Sequence, residues 1–124
     1  MTKFKAQGLN NTFKNARKGF RLVLKSELNI RIHVAIATLV IFLALFLKFS
    51  ALEFCILLFV IGLVIVAEML NTAIEFTLDS IYHNRYSRMV GMAKDISAGA
   101  VMFATIISIL VGVILFGSKF LGQF

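Results

Sequence analysis

Long apolar runs alternate with short polar stretches along this chain, and the runs are too long for a soluble core. A membrane-spanning helix needs roughly 20 predominantly apolar residues. The pattern predicts one span over 32–49, uncharged except for His33 and Lys48 near its ends. A second span is predicted over 52–78, apolar to Ala67 apart from Glu53 at its turn end and broken by polar residues after that. The third, over 96–117, carries no charge. Residues 1–31 read differently. Taking about 100° per residue from Leu9, the apolar side chains of Phe13, Ala16, Phe20, Val23 and Leu24 fall between about −40° and about +60°, while Lys14, Lys18, Arg21 and Lys25 fall between about 120° and about 180°. That is the signature of a basic amphipathic helix lying in the headgroup plane. If the helix stays regular, Glu27 returns to the centre of its apolar face. A carboxylate there needs a polar partner such as a cation, a metal or another chain.

Composition supports this reading. The chain has 124 residues, 60% of them hydrophobic, and a mean hydropathy of +0.93, which is more apolar than soluble domains. It accommodates one domain, 1–124. The net charge is +7, and eight of the thirteen basic residues lie in residues 1–31. Beside long apolar segments, such a cluster points to anionic headgroups rather than nucleic acid. Positive charge also sets the expected topology. The N-terminus and the connection bearing Arg85, Arg88 and Lys94 should face the cytoplasm, and the turn with Lys48 and Glu53 should face outward. The first thirty residues are too polar for a signal peptide. The single cysteine, Cys55, excludes an internal disulfide and reads as an inert buried thiol.

The candidate chemistry lies at the cytoplasmic end of the second span. Measured around the helix axis from Glu68, Asn71 lies at about −60°, Glu75 at about −20° and Asp79 at about +20°, all on one stripe. Ionisable groups in a membrane helix are expensive and usually functional. Clustered carboxylates suit a hard divalent cation such as Mg²⁺. A partly desolvated Glu suits a general base that takes a proton from an alcohol. Lys94 and Asp95 precede the third span, where Asp95 reads as a helix cap and Lys94 as a phosphate contact. Soluble nucleotide-binding loops of the GxxxxGK[ST] or GxGxxG type are absent. Any phosphoryl-transfer site must therefore be built from helices. Ala100, Ala104, Ser108 and Gly112, at four-residue spacing, allow close helix packing within or between chains.

The series Glu68-x-x-Asn71-Thr72-Ala73-Ile74-Glu75-x-x-x-Asp79, followed by Ala93-Lys94-Asp95, resembles the bacterial integral-membrane diacylglycerol kinases and undecaprenol kinases. Glu27, near the end of a helix containing Lys18-Gly19-x-Arg21, adds to the likeness, which covers nearly the whole chain. The resemblance implies an all-α, three-span homotrimer of the bacterial cell membrane with shared active sites. It implies transfer of the ATP γ-phosphate to a lipid hydroxyl, with Mg²⁺. By matching position, Glu68 is the expected catalytic base. Glu27 and Glu75 are the expected metal ligands. Glu27, Asn71, Glu75, Asp79, Lys94 and Asp95 are expected at the nucleotide, and Glu68, Lys18 and Arg21 at the lipid. The segment from Glu27 to His33 resembles the Gram-positive branch, which favours undecaprenol over diacylglycerol as acceptor. One departure is Tyr86-Ser87, where related chains often read Tyr-His. A rival from another class is a small transporter or channel subunit that uses Glu68 as an ion or proton site. It requires a carboxylate near mid-bilayer with water on both sides. A non-catalytic adaptor is a weaker rival, since it needs no acidic stripe.

Overall fold

A computed structural model describes residues 8–83, 85 and 87–122. Lys3, Lys5 and the Tyr86 departure lie outside these residues. The described chain is all-helical: α1 (Leu9–Ser26), α2 (Leu28–Phe46), α3 (Ala51–Tyr82) and α4 (Arg88–Phe120). Helices α2, α3 and α4 are each long and apolar enough to cross a bilayer.

The boundaries depart from the apolar runs in instructive ways. The first helix stops at Ser26, and Glu27 is extended, with φ −121° and ψ 115°. Glu27 is therefore not on the apolar face of a continuous helix. It is the corner between α1 and α2. The corner is pinned by Arg31, whose guanidinium donates to the carbonyls of Lys25 (3.1 Å) and Leu24 (3.4 Å). These are carbonyls the helix end leaves without intrahelical partners, and a cation is favoured there. Val23 and Ile30 bury their side chains on either side of the corner.

Helix α2 stops at Phe46 rather than at Phe49. Lys48 adopts φ 58°, Lys48 N–H donates to Leu45 O (3.1 Å), and Phe49 N–H donates to Ala44 O (3.1 Å). This is a Schellman cap, with Phe49 packed back on Ala44. Ser50 then opens α3 with a capping box. Its hydroxyl accepts from Glu53 N–H (3.2 Å) while Glu53 Oε1 accepts from Ser50 N–H (2.7 Å). The same Glu53 oxygen accepts from Lys119 Nζ at 3.0 Å, across to the far end of α4. Phe49 and Phe116 pack beside the pair as tilted rings, centroids 4.9 Å apart. Ala44, Leu57 and Leu115 form the buried centre of this end of the bundle.

At the opposite end, α4 starts at Arg88, eight residues before the apolar run at Ile96. Its cap is Ser87, whose hydroxyl accepts from Val90 N–H (3.2 Å). Asp95 lies inside the helix and is not a cap. Helix α3 packs chiefly on α4, and Ala104 of the small-residue series is buried between helices. Ser108 and Gly112 line a groove between α2, α3 and α4. Cys55 is exposed rather than buried.

Candidate functional site

The acidic stripe survives folding because α3 remains one unbroken helix through it. Counted from Ala51, Glu68 is 17 residues along α3, about 26 Å at about 1.5 Å per residue. The hydrocarbon core is about 30 Å thick. Measured from Ser50, a core of that thickness would end near Glu68 and before Glu75 and Asp79, which would put Glu68 away from the mid-bilayer position that the ion-site rival requires.

Glu68 is 5% exposed and Thr72, one turn on, 1% exposed. His33 of α2 places Nε2 3.6 Å from Glu68 Oε1. Glu75 lies two turns beyond Glu68 on α3, and Glu27 forms the α1–α2 corner, six residues before His33. The break at Glu27 turns the chain at this point, so that its carboxylate and the α3 stripe share one end of the bundle.

Asn71 Nδ2 donates to Glu75 Oε1 at 3.3 Å, holding that carboxylate along the helix. Among the described residues, Asn71 Oδ1 is buried with no hydrogen-bond partner, an acceptor left for a donor or cation. Lys94 Nζ meets Asp79 Oδ1 at 2.7 Å, tying α4 to the end of the stripe. Asp95 is exposed beside Lys94. Asn71 also lines a groove with Ala93, Ser97 and Ala100 of α4. Lys18 and Arg21 lie apart, in a shallow hollow of α1 with Gly19 and Leu22.

Among the described residues, no three or more His, Cys, Asp or Glu side chains form a ready metal cage. Mg²⁺ rarely needs one, since it is commonly held by one or two carboxylates together with substrate phosphates and water. Glu27, Glu75 and the amide oxygen of Asn71 are hard oxygen donors, the chemistry such an ion would need if it arrived with a nucleotide. Sequence reasoning did not find His33 as a site residue, because a histidine near a span end looks like an ordinary interfacial side chain. It also passed over Arg31, whose capping role needs the helix break to exist.

Comparison with known proteins agrees with this layout. The model of the prokaryotic diacylglycerol kinase family matches residues 14–116, from α1 to near the end of α4. The undecaprenol kinase of Bacillus subtilis (strain 168) is 34% identical over 114 residues, covering 90% of this chain and 92% of that one. A diacylglycerol kinase of Synechocystis is 34% identical over 107 residues, 86% of this chain and 61% of its own length. The diacylglycerol kinase of Escherichia coli (strain K12) is 32% identical over 103 residues, 83% of this chain and 84% of its own. With the match running through the acidic stripe, the α1–α2 corner and all three spans, the chain belongs to the prokaryotic diacylglycerol kinase family.

Proposed function

We propose that this chain phosphorylates undecaprenol at the acidic stripe of α3. It is a multi-pass membrane lipid kinase that uses ATP. The observation that carries the site assignment is the buried Glu68 carboxylate on the α3 stripe, met by His33 of α2 at 3.6 Å, with Glu75 further along α3 and Glu27 at the α1–α2 corner. The undecaprenol preference is supported by the Bacillus subtilis relative, which spans nearly the full length of both chains.

In this reading, Glu68 accepts the proton of the lipid hydroxyl as its oxygen attacks the γ-phosphorus in line. The bond from the γ-phosphorus to the bridging oxygen breaks, and ADP leaves with its electron pair. Phosphoryl transfer needs positioning and charge neutralisation more than covalent help from the protein. Glu27 and Glu75 would hold Mg²⁺, which neutralises phosphate charge when bound. Asn71, Asp79 and Asp95 orient the nucleotide, and Lys94 offers a charge-assisted bond to a phosphate oxygen. Lys18 and Arg21 present positive charge to lipid headgroups from α1, which lies in the headgroup plane. The N-terminus and the Glu68 end of the bundle face the cytoplasm, where ATP is available. Large apolar side chains on α2 and α4, including Leu39, Phe42, Phe103 and Ile109, face outward. They are free for lipid or for neighbouring subunits of a homotrimer.

The test is purified protein with radiolabelled ATP and Mg²⁺, given undecaprenol and diacylglycerol in separate micelles. Label is expected chiefly in undecaprenyl phosphate. Preferential labelling of phosphatidic acid would move the acceptor to diacylglycerol. Absence of label in either lipid would defeat the kinase reading.

A further inference from the structure

Helix α2 contributes one polar side chain to the base. His33 lies six residues beyond the Glu27 corner, and its Nε2 approaches Glu68 Oε1 to 3.6 Å. Among the described residues, it is the only basic side chain within 4 Å of that carboxylate. His33 also lines the groove between α2, α3 and α4, of about 300 Å³, together with Val40, Val64, Ser108 and Phe116. The imidazole therefore touches both the base and this largely apolar groove.

We propose that His33 is a positioning residue for phosphoryl transfer, holding one carboxylate oxygen of Glu68 so that the other is left for the acceptor hydroxyl. This rests on the reading of Glu68 as the base. A glutamate has three side-chain torsions that leave its carboxylate able to swing. An N–H donor from a different helix restricts that swing and fixes the carboxylate plane. The 3.6 Å separation exceeds a formed hydrogen bond of about 2.7–3.2 Å. Such contacts are often long without substrate and tighten in the reacting complex. A misplacement of about 1 Å can cost on the order of 100-fold in rate, so a loose base is a slow one.

The experiment uses the full chain in detergent micelles with ATP, Mg²⁺ and undecaprenol, comparing wild type with His33→Leu, His33→Gln and Glu68→Gln. His33→Leu is expected to lower kcat about 10- to 100-fold while KM for ATP stays within about twofold of wild type. His33→Gln, whose amide N–H reaches the same oxygen, recovers most of the loss. The proposal is overturned if His33→Leu keeps kcat near wild type, or if His33→Gln is no better than His33→Leu. Wild type and Glu68→Gln separate this from the underlying reading. Full activity in Glu68→Gln removes Glu68 as the base whatever His33 does. A second readout needs no turnover and no His33 variant. In protein labelled with ¹⁵N-histidine, Glu68→Gln should shift the ring nitrogens of His33 and leave those of His83 in place. Unmoved His33 resonances would equally overturn the contact.

Discussion

Replacing Lys94 by methionine separates a structural ion pair from a phosphate contact. Lys94 Nζ is 2.7 Å from Asp79 Oδ1, and the two side chains are 37% and 38% exposed. Exposed pairs of this kind contribute about 0.2–1 kcal/mol to stability. Methionine keeps most of the aliphatic stem, so Lys94→Met should fold, insert and melt nearly as wild type. A charge-assisted hydrogen bond to a phosphate is worth more, about 1.5–3 kcal/mol. At about 1.36 kcal/mol per tenfold, losing it corresponds to about a 10- to 150-fold drop in kcat/KM for ATP. The assay is steady-state kinetics with ATP varied at saturating lipid, beside a thermal melt of the same preparation. A variant whose kcat/KM for ATP stays within about threefold of wild type would refute the phosphate assignment. A variant with a large fall in melting temperature and a proportional loss of active protein would show that the pair is architectural instead.

Three further outcomes are expected. Glu68→Gln keeps the shape of the side chain but cannot accept the proton, so kcat should fall about 10²- to 10⁴-fold with ATP affinity preserved, read by single-turnover transfer of labelled phosphate. Glu75→Gln weakens one oxygen ligand, so the Mg²⁺ concentration for half-maximal rate should rise; an unchanged Mg²⁺ titration would strike Glu75 from the ligand set. Lys119→Met leaves the buried Glu53 carboxylate without its cation, so the thermal midpoint should drop while KM for ATP is unchanged; a rise in that KM would mean that the two ends of the bundle are coupled.

Hydrophobic periodicity and charge made much of this protein legible without coordinates. Three spans and a basic first helix follow from the length of the apolar runs and the clustering of lysine and arginine. The Glu68–Asn71–Glu75–Asp79 stripe follows from the regular angular step of a helix, and it holds because α3 is continuous from Ala51 to Tyr82. Helix ends were less legible. The Ser50-x-x-Glu53 capping box was present as a sequence pattern, but the Schellman cap at Lys48 uses a residue that is not glycine. Polar residues extend α4 back to Arg88, because helices that leave the bilayer no longer need apolar side chains to continue.

Contacts between elements were decided only by tertiary structure. The break at Glu27 depends on Arg31 reaching back to carbonyls of the previous helix. The pairing of Glu53 with Lys119 joins residues 66 positions apart, and the approach of His33 to Glu68 depends on how α2 lies against α3. The period of a single helix fixes which of its own side chains share a face. It contains no information on which face of another helix will meet them, because that choice is made by packing many small contacts at once.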